Sequence, residues 1–290
     1  MKLILKNSIL IAIIVITLEA CGDDSGSSSF SNETSQGFPL CEKCEYGLLT
    51  DTRDGQKYRT VKIGTQWWMA ENLNYAYNQR TAELDSSSVC IENDSENCKK
   101  YGRFYMWSAA MDSAGLFSSK SLGCGTDNVK CERAYPVRGV CPEGWHLPSN
   151  AEVEALFAAV GGFLGKNEDG DPAWKNAASK LTICNDQDLY GFAAVSSNKR
   201  GHGTVCSNKG DYMMECAKTI AYFQMDKKYE DMYKNSASFW TSSLDSGKND
   251  ELASFFNLRC YDDYARFLGA ETASAYIDEH RVINVRCVKD

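Results

Sequence analysis

The 290-residue chain is poor in the features that usually announce an enzyme. It holds three histidines and five prolines. No Gly-x-Ser-x-Gly elbow, Walker loop or strand-borne Gly-x-Gly-x-x-Gly occurs, and no histidine falls in a His-Glu-x-x-His pattern. The sequence marks of α/β-hydrolases, nucleotide-binding folds and zinc peptidases are therefore missing. Cations are scarce: 31 Lys and Arg against 39 Asp and Glu give a net charge of −8. They are also scattered singly or in adjacent pairs among carboxylates, which argues against a nucleic-acid partner, because phosphate contacts need clustered positive charge. No period of about 20–50 residues repeats, which excludes solenoids and propellers. The absence of strand–helix–strand alternation excludes a doubly wound parallel sheet. At the N-terminus the apolar run Ile9–Leu18 spans ten residues, about half of the roughly 20 that a spanning helix needs.

That short run is instead the centre of an export signal. Lys2 and Lys6 precede it and Leu18-Glu19-Ala20-Cys21 follows it, so residues 1–20 are expected to be a signal peptide ending in a lipobox, with Cys21 as the lipidation site. Glu19 is unusual in a lipobox, and plain cleavage after Ala20 without lipid is the alternative it leaves open. Each acyl chain adds about 0.8 kcal/mol per buried methylene, so a lipidated Cys21 would hold the protein at a membrane surface without a spanning helix. The expected location is the cell envelope, lipid-anchored at the outer membrane, on its surface or periplasmic side. Residues 21–37 are Gly/Ser-rich and polar and read as a flexible tether, leaving residues 38–290 as one folded domain. Removing residues 1–20 takes away two lysines and one glutamate, so the charge of −8 becomes −9.

Cysteine is the residue present in excess. Thirteen in one chain exceed what a reducing cytosol ordinarily holds, which independently supports export. Apart from Cys21 they number twelve, an even count that fits complete pairing. Cys90 with Cys98, Cys124 with Cys131 and Cys206 with Cys216 each flank a short polar loop able to close on itself. Cys41 and Cys44 form a Cys-x-x-Cys. The motif could be redox-active or half a zinc site, but no second such pair and no histidine pair completes a metal shell, so a structural bond is favoured.

The patterning predicts an α+β fold with two short helices packed on an antiparallel sheet and disulfide-stapled loops. The first helix is announced by a capping box at Ser149 and Glu152, an apolar stripe at Val153, Leu156, Phe157 and Val160, and a Gly161-Gly162 stop. A second is expected with Asp171 as cap, Pro172 at its first position, and Trp174, Ala177, Ala178 and Leu181 on one face. Strands are expected at 58–63, 66–70, 101–106, 192–195, 238–242, 253–258 and 282–288. In the last, Ile283, Val285 and Cys287 alternate with Asn284 and Arg286, as on a half-buried strand.

Several stretches taken together resemble one family. They are Thr50-Asp51-x-Arg53-Asp54-Gly55-Gln56-x-Tyr58, Val61-x-Ile63-Gly64-x-Gln66-x-Trp68-Met69-Ala70-Glu71-Asn72-Leu73-Asn74-Tyr75, Tyr101-Gly102-Arg103 with Tyr105, Trp107 and Ala109-Ala110-Met111, Arg138-Gly139-Val140-Cys141-Pro142-x-Gly144-Trp145-His146-Leu147-Pro148-Ser149, Phe239-Trp240-x-Ser242-Ser243, and Val285-Arg286-Cys287-Val288-Lys289. In this order, over roughly residues 48–290, they resemble the Fibrobacter succinogenes major paralogous domain. That resemblance implies a surface or periplasmic lipoprotein domain of unassigned activity with a C-type-lectin-like fold. It also implies a long-range bond between Cys141 and Cys287, since the corresponding cysteines are adjacent in lectin-like folds. Cys184 and Cys260 are then left as the last pair. The stapled stretches around residues 86–99, 121–133 and 198–218 depart from the family pattern and read as insertions decorating a common scaffold, where recognition tends to live.

No catalytic centre is visible. His146 reads as a packed structural histidine, and His202 and His280 stand alone. The reading is a non-catalytic binding or adhesion module, not an enzyme, with polysaccharide as the ligand class. Trp68 and Trp240 read as core. The aromatic and acidic turn Tyr261-Asp262-Asp263-Tyr264 is the candidate ligand site, since sugars are held by ring faces and carboxylates. Cofactor and metal are expected to be absent; the Glu-Pro-Asn, Gln-Pro-Asp and Trp-Asn-Asp motifs of calcium-dependent lectins do not occur. The alternative is an enzyme of the formylglycine-generating type, which would need free thiolates on a lectin-like fold.

Overall fold

A computed structural model describes residues 40–80, 85–125, 131–183, 188–195, 204–206, 236–244, 252–260, 263–271 and 280–290. The expected signal peptide, Cys21 and tether lie outside the described residues. In chain order the elements are β1 (Glu45–Thr50), β2 (Lys57–Ile63), β3 (Gln66–Met69), β4 (Asn78–Arg80), β5 (Asp85–Val89), α1 (Ser95–Tyr101), β6 (Phe104–Met106), α2 (Trp107–Ala110), β7 (Trp145–His146), α3 (Asn150–Ala159), β8 (Phe163–Lys166), β9 (Pro172–Lys175), α4 (Ala178–Leu181), β10 (Thr204–Cys206), β11 (Ser236–Leu244), β12 (Leu252–Arg259), β13 (Tyr264–Glu271), β14 (His280–Asn284) and β15 (Val288–Lys289). The architecture is thus mixed α and β, mostly sheet, with short helices and disulfides.

Local chemistry explains the first hairpins. Between β1 and β2, Asp51 N–H donates to Gln56 O and Gly55 N–H donates to Asp51 O, both at 2.8 Å. Gly55 sits at φ +75°, where a side chain would be strained. The buried Asp51 carboxylate accepts from Arg53 Nε at 2.8 Å and from its terminal nitrogen at 2.6 Å. The next turn is a two-residue loop, Gly64-Thr65, with Ile63 opposite Gln66. Gly64 is also at φ +61°, and a Cβ there would stand 2.9 Å from the Cβ of Ala159. Two distant segments complete this sheet, whose order is β1-β2-β3-β15-β7.

The second sheet runs β4-β5-β6-β14-β11-β12-β13-β9-β8, with β10 beside β14. Its heart is the antiparallel meander β11-β12-β13. The contact between β11 and β14 is parallel, at Phe239 and Asn284.

Two buried clusters hold the sheets. One centres on Tyr77, Tyr105, Trp107 and Trp240. Trp240 Nε1 donates to Tyr105 O at 2.7 Å and Trp107 Nε1 donates to Thr241 O at 3.0 Å, so both indoles are satisfied inside the core. The other gathers Trp68, Phe157, Phe192, Phe239 and Phe256. Its rings meet mainly edge to face, as Phe157 with Phe256 at 5.9 Å and Phe192 with Phe239 at 6.0 Å. Trp68 and Trp240 are core, at 0% and 1% exposure.

Several local expectations are corrected by partners distant in sequence. The helix expected from Asp171 is instead a hairpin, β8 with β9, followed by the single turn α4. Trp174 packs on Phe157 at 5.7 Å from β9, because β9 is recruited as a strand by both β8 and β13. Residues 192–195 form an isolated bridge, Thr182 to Ala194, and no strand. Tyr101 closes α1, so the strand expected from it begins at Phe104. The last expected strand breaks between Asn284 and Val288. There the supposed outward residues Asn284 and Arg286 are buried, at 6% and 1% exposure.

Arg286 accounts for two of these corrections. Its guanidinium donates to Asn72 Oδ1 at 2.8 Å, to Phe192 O, and to Ala193 O at 3.0 Å. It also stacks over Phe192 and Phe239, at 4.4 and 5.1 Å from the ring centres. Segment 192–193 thus turns its carbonyls toward a cation, with Ala193 at φ +47°. Burial lowers the Arg286 pKa to about 9, against the opposing influence of Asp188 and Glu71.

Four of the pairs drawn from the sequence are bonded: Cys41–Cys44, Cys90–Cys98, Cys124–Cys131 and Cys141–Cys287. Cys260 is disulfide-bonded, while Cys184 and Cys216 lie outside the described residues, as does the side chain of Cys206.

Candidate binding surface

Of the turn singled out in the sequence, Tyr261 and Asp262 lie outside the described residues. Asp263 supports the scaffold, since its Oδ1 accepts from Ser179 N–H at 2.7 Å and its carbonyl accepts from Asn176 N–H at 3.2 Å. It therefore accepts from an orphan N–H in the first turn of α4 from another element. Tyr264 is half-buried and opens β13 opposite Lys175, whose Nζ lies 5.6 Å from its ring centre. One carboxylate and one ring of the turn are thus engaged with the β9–α4 corner.

His146 is equally committed. It is 5% exposed on β7, and its two ring nitrogens lie 2.7 Å from Glu152 Oε1 and 2.7 Å from Asp290 Oδ1. The other oxygen of Glu152 accepts from Ser149 N–H and Oγ–H, both at 2.8 Å, completing the capping box of α3. Burial alone would depress the imidazole pKa, but the two carboxylates outweigh it and raise the value above its ordinary 6.5. Glu152 moves the other way: burial opposes ionisation, yet His146 and the Ser149 donors bring its pKa below the ordinary 4.5. This constellation ties the last residue of the chain to the start of α3. His202 and the side chain of His280 lie outside the described residues.

A surface not singled out residue by residue in the sequence begins at Asp112, which follows α2. Its side chain is fully buried. Oδ1 accepts from Tyr77 Oη at 2.8 Å and from Leu116 N–H at 3.0 Å, and Oδ2 accepts from Phe117 and Ser118 N–H at 2.7 and 3.1 Å. One carboxylate thereby organises the base of a loop. Burial raises its pKa although all four donors favour the charged form. Phe117 is clamped beneath, with Tyr75 at 5.7 Å, Arg53 at 4.6 Å and Arg138 at 5.4 Å from its ring centre. Cys124–Cys131 staples the far part of the loop.

Above this rigid base the loop turns apolar groups outward. Leu116 is 49% exposed, Leu122 51% and Tyr135 53%. Leu122 packs over Gly115, where a Cβ would come within 2.4 Å of Leu122 Cδ2. Tyr135 Oη donates to Ser242 O at 3.4 Å, which holds its ring against the end of β11. The sequence signal was available in Asp112-Ser113-Ala114-Gly115, a turn former directly after a buried helix. The burial of the carboxylate was not, because Tyr77 reaches it across 35 positions.

Among the described residues no group of three or more His, Cys, Asp or Glu side chains could hold a metal ion. No described helix is long and apolar enough to cross a membrane. Fold and surface together define a disulfide-stapled scaffold of mixed α and β structure in which one anchored loop carries three of the exposed apolar side chains, Leu48, Phe163, Leu164 and Leu189 being exposed elsewhere. The chain belongs to the Fibrobacter succinogenes major domain family, whose model matches residues 61–289, from the middle of β2 to the end of β15. No curated protein and no solved structure matches it.

Proposed function

We propose that this chain is a non-catalytic binding module held at the cell envelope by a lipid on Cys21, with polysaccharide as its ligand class and a scaffold of the C-type-lectin-like kind. The observation that carries the reading is the loop over Asp112, which offers half-exposed Leu116, Leu122 and Tyr135 on a base held by buried hydrogen bonds. Such a surface binds without first having to be ordered, which limits the entropy lost on association. A ring tethered by its hydroxyl, as Tyr135 is, suits stacking on a sugar face. The long-range bond Cys141–Cys287 supports the lectin-like reading, since the family resemblance implies that pairing.

The test is a polysaccharide array probed with the full chain and two variants. Tyr135→Ala should weaken capture by about 1–3 kcal/mol, roughly five- to 150-fold, with an unchanged melting temperature. Asp112→Asn should also weaken it by loosening the loop, and the amides of Leu116, Phe117 and Ser118 should then exchange faster. Capture by the wild type that survives Tyr135→Ala intact would move the site away from this loop, and absence of capture on every polysaccharide would remove the ligand class.

A further inference from the structure

The bond between Cys41 and Cys44 belongs neither to the anchored loop nor to the centre of either core. It closes only three positions, just before β1. Neither cysteine is buried, whereas each of the other three bonds with both partners among the described residues contains at least one that is: Cys90 and Cys98 at 9% and 3% exposure, Cys124 at 0%, Cys141 and Cys287 at 0%. The entropy a cross-link removes from the unfolded chain grows with the logarithm of the loop it closes. This bond therefore contributes least to the fold and is open to attack.

The turn is held in place without the bond. Cys44 N–H donates to Cys41 O at 3.3 Å, and Cys41 N–H donates to Tyr46 Oη at 3.2 Å. Tyr46 is itself hydrogen-bonded to the buried Asp188. Opening the bond thus leaves both sulfurs side by side, ready to close again. The carbonyl oxygen of Leu189 lies 3.4 Å from Cys41 Sγ and 4.0 Å from Cys44 Sγ. A disulfide sulfur carries no proton, so in the bonded form this acceptor faces another acceptor. A thiol at Cys41 would donate to it. The surroundings are arranged for the dithiol as well as for the disulfide.

We propose that Cys41–Cys44 is a redox-active pair that exchanges disulfides with a dithiol of a second protein, while the buried bonds stay closed. A thiolate of that partner attacks Cys44 Sγ. The sulfur–sulfur bond breaks, and Cys41 leaves as a thiolate and takes up a proton, after which its S–H hydrogen-bonds to the Leu189 carbonyl. The partner's second thiolate then attacks the partner's own sulfur in the mixed disulfide and releases Cys44, which is protonated in turn. Two electrons and two protons pass from the partner dithiol to the pair, and the partner ends as a disulfide.

The full chain, equilibrated in graded mixtures of reduced and oxidised dithiothreitol, alkylated and mapped by peptide mass spectrometry, tests this directly. Cys41 and Cys44 should become alkylated at a ratio of reduced to oxidised reagent about tenfold or more below that which opens Cys90–Cys98, Cys124–Cys131 or Cys141–Cys287, a gap of about 30 mV. The melting temperature should stay unchanged over that range. The Cys41→Ser variant, incubated with an oxidised dithiol peptide, should trap a mixed disulfide on Cys44. Opening only together with the buried bonds would overturn the proposal, as would opening that unfolds the domain, or a Cys41→Ser variant that traps nothing.

Discussion

The guanidinium of Arg286 rests 4.4 Å from the ring centre of Phe192 while donating to that residue's own carbonyl. One side chain from the end of the sequence thus fixes both the ring and the backbone of a segment that has no strand to hold it. Arg286→Ala should strand the carbonyls of Phe192 and Ala193 and the oxygen of Asn72 without a donor. A loss of about 3–5 kcal/mol in unfolding free energy is expected, the range for breaking a buried charged network. Urea denaturation checks it; a loss under about 1 kcal/mol would mean that water replaces the guanidinium.

The His146 pair gives a pH dependence with a defined sign. The folded imidazole has a raised pKa, so its stabilisation is complete below 6.5 and fades as pH rises through the folded value. The folded Glu152 has a lowered pKa, so its contribution is complete above 4.5 and fades as pH falls through the folded value. Stability from this pair is therefore greatest between those two values. Melting temperatures followed across pH should decline on the alkaline side for the wild type, and that decline should shrink in His146→Gln. An unaltered alkaline slope in the variant would assign the decline to other groups.

The disulfides should differ in worth by the loops they close. Cys141–Cys287 spans 146 positions, and the chain-entropy model gives about 5 kcal/mol for its removal. Cys124–Cys131 spans 7, for which the same model gives about 2 kcal/mol. Paired serine substitutions, compared by chemical denaturation, should preserve that order. Equal losses would show that packing around the sulfurs outweighs chain entropy.

Lipid attachment is tested at one position. With Cys21→Ser, metabolic incorporation of a labelled fatty acid should vanish and the protein should leave the membrane fraction. Equal labelling of wild type and variant would remove the anchor from the proposed function.

What the sequence by itself determined is what its near neighbours decide. The start of α3 was legible because Ser149 and Glu152 satisfy each other three positions apart, and the pairs Cys90–Cys98 and Cys124–Cys131 because their loops can close locally. The strands β2, β3, β11 and β12 were legible as runs rich in aromatic and β-branched residues, though not their pairing, and the family as a string of motifs spread over the whole domain. Tertiary structure decided the rest. The stripe Trp174, Ala177, Ala178 and Leu181 fits a helix, yet β9 pairs with β8 and β13, and the helical period is retained only in the single turn α4. Arg286 occupies a formally outward place in an alternating strand, but the chain breaks there and a pocket of carbonyls and rings receives it. Asp112 is held at the base of the outward loop by the nearby amides of Leu116, Phe117 and Ser118 and also by Tyr77, which reaches it from 35 positions away. Capping and alternation act over three or four residues, whereas a buried charge is stable only where donors or acceptors from remote segments converge, and that convergence exists only in the folded chain.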